Sequence, residues 1–198
     1  MNSIANTSLL LGLFAFLFYS GCDGKVGIGN RYVPVPLTQQ APFSYQGRIG
    51  RIWGGDGFEV ISQEKVHFVY LRGIDGPTHG QFARDLAEAK TRSLAKGKQV
   101  TIEVIERDVS MREVADVKIP LDNPDESVDL ALALLESGLA WFDRSEGPYR
   151  DSYLAAETSA REKKIGIWSQ KDPVPPWKAW EQLQQEMKES LGEGTAAE

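Results

Sequence analysis

Val69-Tyr70-Leu71-Arg72-Gly73-Ile74-Asp75-Gly76-Pro77-Thr78 is the stretch from which the fold of this chain is read. Val66–Leu71 is an apolar-rich run of strand length, and Gly73 with the Gly76-Pro77 pair turns the chain after it. Asp75 therefore leaves a strand end on a loop, where a carboxylate faces a ligand more readily than a core. The competing reading of such an aspartate is a turn residue that hydrogen-bonds its own backbone. Upstream, Gly54-Gly55-Asp56-Gly57 repeats the arrangement, with a second acid in a glycine-rich turn between expected strands at Tyr45–Ile52 and Phe58–Ile61.

Working outward, Ser62–Lys65 turns the chain into the Val66–Leu71 strand. Phe82–Lys96 reads as a helix rich in Ala, Leu, Glu and Lys and stopped by Gly97. Val100–Ile105 alternates apolar and polar residues as a half-buried strand, with Val114–Ile119 as its partner across the Arg107–Arg112 turn. Val128–Ser137 is a second helix stopped by Gly138, and Ser152–Lys164 a third, ended by Gly166. Five strands with helices interposed and appended predict an α+β, mainly β, small barrel. The following Glu181–Leu191 stretch reads as a solvated helix.

Bulk properties narrow the function classes. A net charge of -6 argues against a broad basic surface for nonspecific nucleic-acid binding. Residues 181–198 hold five Glu and one Lys, a local charge of -4, which leaves -2 for everything before them. A compact basic pocket remains compatible with that balance. The single cysteine, Cys22, excludes an intrachain disulfide and a cysteine-rich metal site. Residues 1–21 carry no charged side chain, and the apolar run Leu9–Phe18 suits a signal-peptide core but is too short to span a bilayer. Tyr19-Ser20-Gly21-Cys22 resembles a bacterial lipobox, which implies export and a lipid anchor on Cys22, hence a membrane-anchored lipoprotein of the cell envelope. Residues 22–42 include Val33-Pro34-Val35-Pro36 and read as an extended tether. The expected organisation is a signal peptide (1–21), a tether (22–42), a folded domain (43–180) and an acidic C-terminal tail (181–198).

Several motifs in order carry a family resemblance. Val69–Thr78 resembles the V-R-L-x-G-I-D-A-P-E signature of the staphylococcal nuclease (thermonuclease) family. Gly47-Arg48-Ile49 with Trp53–Val60 is similar to its G-x-V-x-x-V-x-D-G-D-T-F-x-V, and Gly97-Lys98-Gln99-Val100 to its G-K-x-V. Asp129-Leu130-Ala131 with Gly138–Trp141 is similar to N-x-x-L-V-x-x-G-L-A, and Gly166-Ile167-Trp168 to its final G-x-W. The family fold this implies is a five-stranded OB-type barrel with three helices. The implied activity is calcium-dependent hydrolysis of nucleic-acid phosphodiesters. The resemblance implies Asp56, Asp75 and the backbone carbonyl of Gly76 as calcium ligands, and Arg112 as one of two phosphate-binding arginines.

The same alignment exposes departures. Tyr70 stands where the family has its other arginine, and Thr78 where it has the water-activating glutamate. Gly54 and Gly57 replace an aspartate and a threonine, and Ser110-Met111 replaces a Tyr-Gly pair. Arg72, expected on the Tyr70 face of the strand, is a candidate to compensate, against a plain surface charge paired with a residue such as Glu59. His79 is a candidate base, against an exposed loop histidine. The expectation is a thermonuclease-like domain whose hydrolysis is weakened or lost. The alternative is a catalytically inactive OB-fold module that binds nucleic acid, a nucleotide or a protein, or serves as a structural body of the cell envelope.

Overall fold

Strand β1 (Phe43–Trp53) carries a β-bulge between Ile49 and Ile52, which bends it enough to pair with two neighbours at different ends. In the computed structural model, which describes residues 42–108, 110–123, 125–143 and 150–190, β2 (Gly57–Ser62) and β3 (Lys65–Leu71) follow β1 as an antiparallel meander. The expected signal peptide, the Cys22 anchor, the tether to residue 41 and the end of the acidic tail (191–198) lie outside the described residues.

A two-residue strand β4 (Ile74–Asp75) comes next, then helix α1 (Arg84–Ala95), β5 (Gln99–Arg107) and β6 (Glu113–Pro120). β5 returns beside β1, and β6 beside β5. Parallel pairing of β6 with β3, from Val69↔Glu113 to Leu71↔Ala115, closes a five-stranded mixed barrel of the OB type. Alternate residues of the five strands point inward, so Phe58, Val60, Val69, Val100, Ile102, Val104, Ala115, Val117 and Ile119 are fully buried. Burying each larger apolar side chain contributes roughly 1.5–3 kcal/mol.

The chain then forms β7 (Ser127–Asp129), α2 (Leu130–Glu136), β8 (Trp141–Phe142) and α3 (Arg150–Glu162), and after a 3-10 turn at Gly166–Ser169 it ends in α4 (Pro176–Ser190). α2 starts two residues later than its hydrophobic pattern predicts. Asp129 is its N-cap, with extended φ and ψ, and its carboxylate accepts the Leu132 N–H at 3.0 Å. A cap residue with β geometry leaves the preceding residues free to pair with β6. α4 is a fourth helix beyond the three of the resemblance, and it begins before Glu181 because proline suits a first helical turn. Among the described residues no helix is long and apolar enough to cross a membrane.

Gly138 and Gly166, read from sequence as helix stops, also touch each other. The Ile167 N–H donates to the Gly138 carbonyl at 2.8 Å, and a Cβ on Gly166 would fall 2.1 Å from that oxygen. This contact locks the ends of α2 and α3 together and holds Trp141 and Phe142 where they pair with Ile74 and Asp75. The last link sets the site, since β4 is the segment that carries one of the two acids.

Candidate functional site

The Asp56 turn is fixed from two sides. Thr91 Oγ1, buried on α1, donates to the Gly55 carbonyl at 2.6 Å, and the Leu71 N–H donates to the Asp56 carbonyl at 2.9 Å. The Asp56 side chain then stitches this turn to the next, with Oδ2 accepting the Gly76 N–H at 2.9 Å. Burial pushes its carboxyl up to about 6; backbone N–H groups of Gly76, Asp56 and Gly57 pull the other way, and the Asp75 charge adds to the rise. Asp75 is also raised, first by burial and then by the charge of Asp143. The two acids expected from the sequence are therefore brought together, close enough for the Asp75 charge to oppose ionisation of Asp56.

The turn role weighed for these aspartates describes part of what Asp56 does. The Gly76 N–H occupies one position on its Oδ2, and a carboxylate has about four lone-pair sites, so room remains for a cation. Among the described residues the Asp75 carboxylate receives no hydrogen bond. Two enclosed carboxylates pushed toward neutrality are the arrangement a divalent cation would relieve, and their oxygens suit a hard one. Among the described residues no group of three or more His, Cys, Asp and Glu side chains converges to hold a metal. The donor set thus fits an ion that keeps most of its waters.

Arg112 is linked to the Asp56 turn through Tyr70. Its guanidinium lies 4.7 Å from the centre of the Tyr70 ring, and Tyr70 pairs across the strands with Gly57, the residue after Asp56. Arg112 Nε also donates to Asp108, whose carboxylate accepts the backbone N–H groups of Ser110 and Arg112 at 2.8 and 2.9 Å. Burial works against ionisation of Asp108, and these hydrogen bonds outweigh it, holding the carboxyl below its usual range. Tyr70, in turn, accepts a hydrogen bond from Trp53 Nε1 at 3.0 Å. That pair requires Gly57, because a Cβ there would fall 2.3 Å from Trp53 Nε1 and 3.0 Å from the Tyr70 ring. Trp53, Gly57 and Tyr70 are thus coupled in packing.

Of the two candidates for compensation, Arg72 is committed to a partner of its own. The Arg72 N–H donates to the Ala115 carbonyl at 3.0 Å, so the backbone follows the β3–β6 register past Leu71 and Arg72 keeps the Tyr70 face, opposite Asp116. Its guanidinium forms a bidentate pair with Asp116 (3.0 and 2.7 Å), and both side chains are largely buried. The partner is Asp116, not Glu59, and the pair is internal rather than a surface one. Thr78 is exposed, with its N–H and Oγ1 both bound to Gln81 Oε1 at 2.8 and 3.0 Å. His79 is an exposed loop residue. Sequence reading missed Trp53, Asp143 and the Asp108 clasp on Arg112. Only the last had a local signal, the four-residue spacing of opposite charges.

Asp75 also borders a cleft of about 660 Å³ walled by Trp141, Trp168 and Trp177. The C-terminal segment forming part of that wall is tied to the Thr78 turn, as Gln81 Nε2 donates to the Val174 carbonyl at 2.9 Å.

Comparison with known proteins places this geometry. A family model described as Staphylococcal nuclease homologue matches residues 68–170. A protein of Escherichia coli O157:H7 named as an uncharacterized endonuclease is 32% identical over 136 residues, covering 66% of this chain and 82% of its own. A micrococcal nuclease of Shigella flexneri is 28% identical over 138 residues, covering 68% and 79%. Protein ParB of Escherichia coli is 27% identical over 137 residues, covering 67% and 77%.

Proposed function

The chain belongs to the staphylococcal nuclease family, and from that premise we propose that it is a calcium-dependent phosphodiesterase acting slowly on single-stranded nucleic acid through a depleted site. The observation that carries this reading is the meeting of the Asp56 and Asp75 turns, joined by the Gly76 N–H that donates to Asp56 Oδ2 at 2.9 Å, where the Asp75 charge opposes ionisation of Asp56. Asp56, Asp75 and the Gly76 carbonyl would hold the ion. When bound, calcium supplies a hard positive charge against a phosphoryl oxygen and its attacking water. Arg112, already oriented by Asp108 and the Tyr70 ring, pairs with the phosphate as charge builds on it. In the reaction a water oxygen bonds to phosphorus, one ester P–O bond breaks, and the leaving oxygen takes a proton.

Two groups that speed such a step are missing. A single Arg in place of two costs on the order of 10²–10³ in rate. Thr78, bound to Gln81, cannot take the water's proton near neutral pH, which costs roughly a further 10²–10⁴. Because these groups act together the losses do not multiply fully, and a deficit of roughly 10⁴ is expected. The test is nucleotide release from single-stranded DNA by purified protein at high enzyme concentration, with calcium and with a chelator. Slow calcium-dependent release, abolished in Asp75→Ala, is the expected result, and none at all refutes the proposal.

A second reading, a binding module without turnover, is supported by Arg112 being already engaged with Asp108. It requires oligonucleotide binding that is indifferent to calcium and to Asp56→Ala. We further propose that the domain is exported and held to a membrane by a lipid on Cys22. Palmitate incorporation that disappears in Cys22→Ser supports this, and an unlabelled parent rejects it.

A further inference from the structure

The outward residues of the β1–β2–β3 meander form a strip the nuclease chemistry does not use. Strand register places Tyr70 opposite Gly57, Phe68 opposite Glu59, and Val66 opposite Ile61, with Arg48 of β1 paired to Ile61 on the other side. Phe68 is 49% exposed, Val66 53% and Ile61 42%. Trp53 joins them from β1, its ring centroid 6.0 Å from Phe68 and 6.2 Å from Tyr70. Val66 to Tyr70 on β3, four residue steps, span roughly 13 Å. Arg112 stands over the Tyr70 end, and exposed Arg48 marks the other. Contiguous exposed apolar surface of this kind marks a binding face.

We propose that this strip, Tyr70, Trp53, Phe68 and Val66 between Arg112 and Arg48, is a base-stacking platform that receives single-stranded nucleic acid and leads it to Asp56 and Asp75. The proposal rests on the nuclease reading for the class of ligand and goes beyond it in saying which bases are held, and by what. Three features select this occupant over a protein or a lipid surface. The strip is continuous with the candidate site, since Tyr70 and Arg112 belong to both. Its cations sit at its two ends, where phosphates flanking stacked bases would fall. Glu59, opposite Phe68, repels phosphate from the middle and leaves that position to a base. The rings are tilted by 46° between Trp53 and Phe68 and by 59° between Trp53 and Tyr70, so they do not form a closed stack on one another. Substituting tyrosine for arginine at position 70 thereby exchanges a phosphate clamp for a base platform.

The platform has a measurable signature. Stacking needs unpaired bases, so single strands bind and duplexes do not. Two arginines on phosphates give a salt slope of only about -1.4 in log K against log salt on single strands. The test is anisotropy of a labelled thymidine oligonucleotide in chelator, where no hydrolysis intervenes, for the parent and for Phe68→Ala. Phe68 is exposed, so its truncation leaves the core intact, which a thermal melt verifies. The expected result is single-strand binding by the parent, weakened roughly 5- to 150-fold in Phe68→Ala, the range of one lost stacking contact. Leu121→Ala, equally exposed but on a loop beyond β6, should bind as the parent does. Equal binding by Phe68→Ala and the parent would overturn the platform, as would no binding by the parent. Self-association or vesicle binding lost in Phe68→Ala, with no oligonucleotide bound, would assign the face elsewhere and also overturn it. Cleavage that does not depend on Phe68 sinks the platform and leaves the nuclease reading standing. Phe68-dependent binding without any cleavage does the reverse.

Discussion

Replacing Asp56 by asparagine tests the electrostatics of the acid pair directly. Burial lifts the Asp56 carboxyl from 3.8 to about 6, so the folded protein keeps a proton that the unfolded chain has released across that interval. The sign follows from linkage: stability falls as pH rises from about 4 through 6, then levels off once the folded carboxyl is also ionised. At about 1.4 kcal/mol per pH unit the penalty at neutral pH has a ceiling of about 3 kcal/mol, lowered by the partial exposure of the residue. Asparagine keeps an oxygen for the Gly76 N–H and removes the charge, so Asp56→Asn should be more stable than the parent at pH 7.5 and equal to it near pH 4. Calcium should reverse the order. It stabilises the parent above pH 6 in proportion to RT ln(1 + [L]/Kd), and this gain should vanish below pH 6 and in the variant. Thermal melts of both proteins from pH 4.5 to 7.5, with calcium and with chelator, read all of this. Parallel pH profiles would refute the buried-acid reasoning. A calcium shift that survives Asp56→Asn would refute its role as a ligand.

Restoring the absent groups with Tyr70→Arg and Thr78→Glu should raise calcium-dependent cleavage of single-stranded DNA by roughly 10²-fold or more. The same double variant should bind oligonucleotide more weakly in chelator, because the Tyr70 ring is lost; comparing its cleavage rate and its affinity with the parent's checks both. Truncating Arg72 to alanine leaves Asp116 buried without its bidentate partner and should cost about 3 kcal/mol or more, roughly 10 °C in Tm. A shift within 2 °C would mean the pair is dispensable. Gly166→Ala drives a Cβ to 2.1 Å from the Gly138 carbonyl, so it should destabilise by several kcal/mol and expose Trp168, seen as a lowered Tm and altered tryptophan fluorescence.

Much of the architecture was legible because it is written in local signals. Apolar runs between turns, with alternation in Val100–Ile105, marked the five barrel strands, and glycines marked turns and helix ends. What escaped were the pieces stabilised only by distant partners. β4 and β8 are two residues each, too short for periodicity, and exist because Asp75 pairs with Trp141. β7 was absorbed into a helix because its apolar residue continues the helical pattern, whereas the Asp129 cap and the β6 edge decide otherwise.

At the site, residue identities along the chain set an expectation through the family resemblance: Asp56, Asp75 and Arg112 present, with Tyr70 and Thr78 where the family has an arginine and a glutamate. No reading of a linear sequence could say where the substitutes point. Tertiary structure decided that Arg72 pairs with Asp116, that Thr78 is bound to Gln81, and that Tyr70 carries Arg112 on its ring and Trp53 on its hydroxyl. The physical reason is range. A turn or a helix stop is set by residues a few positions apart, while the ionisation of a carboxylate and the exposure of a ring depend on strands that meet only when the barrel closes.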